Sequence, residues 1–418
     1  MLLAGHSRLA AAKLLGLKEV PVVVVPGLSD AKKRAYRLAD NKLAEQAGWD
    51  REILALELPE LQGLLELESL ELSLTGFAPP EVDGILSDHE EHAADPADAV
   101  PSTSSDQRPI SRPGDLWLLS KHRLLCGDVR SPEDLARLMD GQKATLAFLD
   151  PPYNVRVASI VGRGRTKHQE FAVASGELTK EGFTAFLMEA LTACASVSQI
   201  GAVHFVCMDW RHLGELLAAG EVAYGALLNL AVWAKSNAGQ GSFYRSQHEL
   251  IFVFRVGDAP HVNNVELGRY GRSRSNVWRY AGVNTFRTGP TDELTVHPTV
   301  KPVAMVADAI KDCTTRGAVV LDSFCGSGTT ILAAERVGRV GYGLEIEPRY
   351  IDAAVRRWQA FTGKDAVHGE PGETFNEHER ALRTAKHVSV KPSPRKCGLP
   401  KSASSSISAR AKRPRASA

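Results

Sequence analysis

The run Asp150-Pro151-Pro152-Tyr153 makes a poor structural turn but a good holder for a flat, electron-poor ring. Each proline fixes its own φ, so acceptors carried on this loop need little ordering when a ligand arrives. The Asp150 carboxylate can accept one N–H of an amine and orient or take its proton. The carbonyl of Pro151 or Pro152 can accept the other N–H, and Tyr153 offers a ring face for stacking. A second run, Phe324-Cys325-Gly326-Ser327-Gly328-Thr329-Thr330, supplies amide donors and close backbone approach where a helix begins. Ile331 stands where a dinucleotide fingerprint has its third glycine, which argues against a dehydrogenase. The next apolar stretch ends at Glu345, where a carboxylate can accept both hydroxyls of a ribose.

These groups need a scaffold, and the chain alternates strand-like and helical patterns. Strand-like runs fall at 116–119, 123–126, 145–149, 203–208, 228–233, 250–255, 319–322 and 340–345. Amphipathic helices are expected at 183–195, 302–313 and 348–361, the last opened by Pro348. This alternation predicts an α/β fold with a wound, mostly parallel sheet. Runs 228–233 and 250–255, with no helix between them, read as an antiparallel hairpin at one edge. Ligands of such sheets bind outside the carboxyl ends of the strands near a switch point. If the strands before Asp150 and Phe324 are neighbours, their loops start about 4.8 Å apart.

Four segments are expected: a small α/β unit at 1–86, a linker at 87–111, a main domain at 112–363, and a basic, disordered tail at 364–418. The front unit reads as helix 9–17, β-branched strand 20–25 and helix 30–41, with Leu- and Glu-rich helical spacing at 53–74. After Glu379 the tail has no acidic residue and is rich in Lys, Arg, Ser, Ala and Pro. A net charge of +1 puts any nucleic-acid affinity in local patches. The six cysteines form no CxxC pair, which fits a reducing cytoplasm and argues against a zinc ribbon; no metal site is expected. No apolar run approaches the roughly 20 residues that span a bilayer, so no membrane association is expected.

Asp322-Ser323-Phe324-Cys325-Gly326-Ser327-Gly328-Thr329-Thr330, Glu345 and Asp150-Pro151-Pro152-Tyr153 together resemble the S-adenosylmethionine-dependent DNA amino-methyltransferases. The order, with Asp-Pro-Pro-Tyr first and the glycine loop last, resembles their circularly permuted β group. The resemblance implies a Rossmann-like sheet, S-adenosylmethionine as cofactor and double-stranded DNA as partner. It implies that Asp322, Phe324, Gly326, Gly328, Thr329 and Glu345 bind the methyl donor. His297, Thr299 and Lys301 of the run His297-Pro298-Thr299-Val300-Lys301-Pro302 would complete that pocket, and Asp128 of Cys126-Gly127-Asp128 would lie near the adenosine. Ser323 replaces the proline usual in the family, which should loosen the turn slightly. The catalytic role falls to Asp150, Pro151, Pro152 and Tyr153. Their target is buried in duplex DNA and must be flipped out. Aspartate at 150, rather than serine, resembles the adenine-N6 enzymes more than most cytosine-N4 enzymes.

Two basic stretches are candidate DNA contacts: Arg163 and Arg165 after the catalytic loop, and Arg269, Arg272, Arg274 and Asn276 in a target-recognition region at about 260–295. Gly5-His6-Ser7-Arg8 and Asp40-Asn41-Lys42 resemble a ParB/sulfiredoxin-like domain that lacks its usual first strands, which implies DNA docking or a vestigial role rather than nucleotide chemistry. Two alternatives to adenine-N6 methylation stay open, cytosine-N4 methylation and a non-catalytic ParB-like DNA-binding regulator. The sequence leaves open the recognition site, a homodimer, and a cognate restriction enzyme.

Overall fold

The structure, a computed structural model, describes residues 2–46, 51–68, 70, 72–87, 95–99, 108–155, 174, 176–235, 238, 243–265, 274–281, 300–370 and 372–388. Among these, one ten-stranded sheet organises the main domain. Its strands are β1 (Leu116–Leu119), β2 (His122–Cys126), β3 (Ala144–Leu149), β4 (Ser198–Met208), β5 (Ala226–Ala234), β6 (His248–Arg255), β7 (Val277–Arg279), β8 (Val319–Asp322), β9 (Val340–Glu345) and β10 (Val367–His368). The spatial order is β10-β1-β2-β9-β8-β3-β4-β6-β5-β7.

Strand β3 leads through helix Lys180–Ser196 to β4 on one side, while β8 leads through helix Thr329–Arg336 to β9 on the other. The strand order therefore reverses between β3 and β8, which pair in parallel with Leu146 opposite Val320 and Ala147 opposite Leu321. That is the switch point, and both motif loops leave from it. On β3, Leu146 and Phe148 join the core on one face, and Ala147 and Leu149 join the other. This period-two alternation over a sheet covered on both sides explains the continuous apolar run. Helices Val303–Cys313, Thr329–Arg336 and Pro348–Thr362 cover the first face; Pro132–Met139, Lys180–Ser196 and Leu213–Ala223 cover the second.

The expected hairpin is present as β5 and β6, but β7 pairs in parallel with β5, so the hairpin lies one strand in from the edge. Because β6 runs antiparallel to β4, with Met208 opposite Leu250, its amino end lies at the same sheet margin as the carboxyl ends of β3 and β8.

Outside the sheet, several expectations are corrected. Residues 20–25 form no strand; Val23 and Val24 are 92% and 81% exposed. A β-branched run without a neighbouring strand leaves its backbone to water. The front segment contains helices His6–Leu14, Asp30–Gln46, Arg51–Leu67 and Pro79–Ser87, with Leu54, Leu58, Val82 and Ile85 in a small core. Parts of the expected linker pack on the main domain: Ala97 is buried, and Asp352 accepts the Ile110 and Ser111 amides at 2.8 and 2.9 Å. Within the expected tail, β10 pairs with β1 and helix Phe375–Val388 packs Phe375 against Trp117. Residues 389–418 lie outside the described residues. No described helix is long and apolar enough to cross a membrane.

Candidate active site

The glycine loop is built around two buried carboxylates. Asp322, at the end of β8, accepts the Phe324 amide at 3.1 Å and the Thr330 hydroxyl at 2.6 Å, tying the turn to the first residues of the next helix. Gly328, the N-cap of that helix, has φ of 84°, and a Cβ there would sit 2.7 Å from Ala354 Cβ. Only glycine fits such a close helix crossing in the left-handed region. The Ser323 hydroxyl lies 3.0 Å from the Cys194 sulfur on helix Lys180–Ser196, which ties it down.

Glu345 ends β9 and accepts the Gly326 and Glu347 amides at 2.8 and 2.9 Å. No cation pairs with it among the described residues, and burial pushes it up to about 7, the same value to which burial pushes Asp322. An ionised carboxylate offers about four lone-pair directions, so Glu345 keeps capacity for a further donor. A nucleoside diol fits that requirement. Gly127 donates to the Glu345 carbonyl at 3.0 Å, which sets the Gly127–Asp128 turn beside this carboxylate. The Asp128 side chain is held by Arg130 at 2.6 and 3.0 Å, and that hydrogen bonding lowers its pKa.

Across the switch point, Asp150 joins a charge network. Its Oδ2 receives Lys301 Nζ at 2.6 Å, and its Oδ1 receives the Tyr153 hydroxyl at 2.7 Å. Lys301 also meets Glu249 Oε2 at 3.1 Å, and Lys235 bonds the other Glu249 oxygen. Burial would pull the Lys301 ammonium down, but Asp150 and Glu249 overcome it and hold the pKa above the ordinary range. Burial likewise opposes ionisation of Glu249, yet Lys301 and Lys235 hold it down to about 2. Burial, then the Asp150 charge, push the Tyr153 hydroxyl well up, which keeps it a donor. With two carboxylates and two ammonium groups, the network is neutral.

Pro151 is buried and Pro152 half-buried. Asn154, at φ 50°, turns the chain away from the loop. Its amide oxygen accepts Gly176 and Leu178 amides at 3.0 and 3.2 Å, and its nitrogen donates to the Leu178 carbonyl at 2.9 Å. Sequence reasoning did not single out Asn154. The signal for Glu249 is topological, since an antiparallel β6 brings its amino end to this margin.

Lys301 was expected on the methyl donor, but it meets Asp150, Tyr153 and Glu249 on the catalytic side. Arg274 was expected on DNA; instead it lies half-buried against Asp308 and Asp312 at 3.0 and 2.8 Å, because those acids lie one turn apart on helix Val303–Cys313 and face it. Asn276, expected to read adenine, donates its side-chain amide to the Leu230 carbonyl at 3.1 Å and so fastens β7 beside β5. His297, Thr299, Arg163, Arg165, Arg269 and Arg272 lie outside the described residues.

Residues 144–356 match the N6/N4 DNA methylase family model, and 52–113 match the model of a ParB-methyltransferase HTH domain. The second match extends over the whole stretch expected to be a linker. Type II methyltransferase M.ScaI of Streptomyces caespitosus is 39% identical over 90 residues, 22% of this chain and 30% of that protein. Type II methyltransferase M.HpaI of Haemophilus parainfluenzae is 23% identical over 261 residues, 59% of this chain and 77% of that protein. The crystal structure of the M1.HpyAVI-SAM complex superposes with a TM-score of 0.41 at 20% identity, covering 56% of this chain and 97% of that one. The family match takes in β3, the charge network, the glycine loop and Glu345, and it extends over just over half of the 418 residues: the chain belongs to the N6/N4 DNA methylase family.

Proposed function

We propose that this chain transfers a methyl group from S-adenosylmethionine to the N6 amine of a flipped-out adenine in double-stranded DNA. The observation that carries the reading is the adjacency of β3 and β8, which sets the Asp150 carboxylate and the glycine loop side by side at the switch point. The family match supports the reaction class. Aspartate at position 150 supports adenine over cytosine.

Bound S-adenosylmethionine would supply an electrophilic methyl group on a sulfonium. The chain's part is to hold its diol on Glu345, its backbone-facing side on the glycine loop, and the target amine on Asp150. That amine is a poor nucleophile because its lone pair is delocalised into the ring. Asp150 accepts one N–H and a carbonyl of the proline pair accepts the other, drawing the lone pair out of conjugation. Both Asp150 oxygens already have a donor, but each retains a second lone pair. Lys301 keeps the carboxylate oriented. Taking the amine proton would leave the Asp150, Glu249, Lys301 and Lys235 network with one excess positive charge, which favours release of that proton to water. Tyr153, with its hydroxyl anchored on Asp150, can offer its ring to the base, and such stacking is worth roughly 1–3 kcal/mol.

Donor binding should depend on pH. Glu345 must be ionised to accept the diol, and burial raises it to about 7. Donor affinity should therefore fall by up to about tenfold per pH unit below that value and level off above it. The sign for the unliganded fold follows from the same shift. A carboxyl raised from 4.5 to about 7 binds more protons folded than unfolded, so its contribution to stability falls as pH rises between those values. Calorimetric titration with S-adenosylmethionine from pH 5.5 to 8.5 measures this. Glu345→Ala should bind at least tenfold more weakly, by the loss of hydrogen bonds to a charged group, and a pH-independent wild-type affinity would refute the assignment.

The function itself is tested by incubating the full chain with duplex DNA and methyl-labelled S-adenosylmethionine, then digesting the DNA to nucleosides. Label in N6-methyladenine is expected. Label in N4-methylcytosine would transfer the reading to the other amine, and unlabelled DNA across varied sequences would overturn it.

A further inference from the structure

Residues 95–98 form a short strap, including the 3-10 turn Pro96–Asp98, which touches both halves of the site from behind. Asp95 receives the Arg336 guanidinium at 2.5 and 2.7 Å, at the last turn of helix Thr329–Arg336. The Ala97 carbonyl accepts from Arg357 at 2.7 Å. The same guanidinium donates to the Ser327 carbonyl and hydroxyl at 2.7 and 2.9 Å, inside the glycine loop. Asp98 accepts the Val303 amide at 2.8 Å, at the start of the helix two residues after Lys301.

Arg357 is 3% exposed, and it donates to neutral oxygens of Ser327, Thr329 and Ala97. Burial pulls it down to about 10, and the charges of Asp98 and Asp95 oppose that pull. The strap thus supplies both a hydrogen-bond acceptor and compensating charge to the cation beneath the glycine loop. It also satisfies an orphan amide where a helix starts under Pro302. A second anchor lies nearby: buried Asp83, on helix Pro79–Ser87, pairs with buried Arg339 at 2.7 Å just before β9. Asp83 and the strap both belong to the 52–113 segment that matches the HTH model.

We propose that residues 95–98 are a positioning element of the methyl-transfer site, with Ala97 and Asp98 setting the glycine loop through Arg357 and Lys301 through the Val303 amide, so that seating of the strap and binding of the donor strengthen each other. This rests on the reading of the glycine loop as the S-adenosylmethionine site. The coupling is reciprocal by thermodynamic necessity: whatever factor the seated strap adds to donor affinity, bound donor adds to strap seating.

The test uses the full chain. Asp98→Ala removes the acceptor and the charge, and should weaken S-adenosylmethionine binding roughly tenfold, within the usual range for coupled sites. Asp98→Asn keeps an acceptor for the Val303 amide and should recover part of that loss. Donor affinity unchanged in Asp98→Ala, whatever its melting temperature, would overturn the proposal. Because that variant may fail to fold, hydrogen exchange on the wild-type chain provides a second readout. Saturating donor should slow exchange at Ala97 and Val303 more than in β5, on the far side of the sheet. Slowing confined to residues 324–329 would overturn the strap proposal alone. No donor binding by the wild-type chain would overturn the donor-site reading and the proposal with it.

Discussion

Asp150→Ala should lose at least about a thousandfold in the single-turnover rate of methyl transfer, the upper part of the range for a positioned proton acceptor. Donor affinity should stay within about twofold of wild type. The two halves of that expectation come from different strands. Asp150 leaves β3 and is bonded to Lys301 and Tyr153, whereas Glu345, the carboxylate proposed to hold the diol, leaves β9 beyond the glycine loop. Asp150→Asn is the sharper comparison. It keeps an oxygen that can accept an amine hydrogen but carries no charge for Lys301 and no capacity to take the proton. It should retain donor binding and lose roughly a hundredfold in rate, between alanine and wild type. Rapid-quench transfer with labelled donor, alongside calorimetry, measures both quantities. An Asp150→Ala enzyme with a wild-type rate would remove Asp150 from the chemistry.

Lys301→Met should damage both rate and stability, for separable reasons. Lys301 is 4% exposed and bridges Asp150 and Glu249, which are 22% and 12% exposed. Removing it leaves two carboxylates sharing a site with only Lys235 to offset them. Breaking a buried ion pair by deleting one partner costs about 3 kcal/mol at the low end, and the partial exposure of Asp150 argues for that end. The rate should fall on the order of a hundredfold, from a misplaced Asp150. The double variant Lys301→Met/Glu249→Gln removes one charge of each sign. It should regain much of the stability and little of the rate. Thermal melts and pH-rate profiles of the three proteins test this; equal recovery of rate and stability in the double variant would make the network purely structural. The acid limb of wild-type stability has a defined sign. Glu249 is held down to about 2, so its contribution is complete above the ordinary value of 4.5 and is lost as pH falls between the two.

The eight strand-like runs were legible because each is long enough to show an apolar pattern, and each lies within an observed strand. Strands β7 and β10, three and two residues long, carry no readable period. The two motif loops were legible for a different reason: proline, glycine and aspartate have local conformational consequences visible in sequence. Glu249 and Lys301 were not legible as a pair because sheet topology, over 50 intervening residues, brings them together. Arg274 shows the converse. Its neighbours in sequence suggested a basic DNA-binding stretch, yet Asp308 and Asp312, at helical spacing, already offered it a protein partner. Residues 95–98 have the composition of a linker, and only the burial of Arg357 and Ala97 shows that this segment is part of the packed domain. The run at 20–25 had strand propensity without a strand beside it.

The central claim is that Asp150 presents an adenine amine to a methyl donor held by the glycine loop and Glu345. The most direct measurement is the identity of the labelled nucleoside when wild-type and Asp150→Ala proteins are incubated side by side with duplex DNA and methyl-labelled S-adenosylmethionine. The account predicts N6-methyladenine from the wild type and no labelled nucleoside from the variant, although both bind the donor. Label in another nucleoside, or N6-methyladenine formed equally by both proteins, would contradict it.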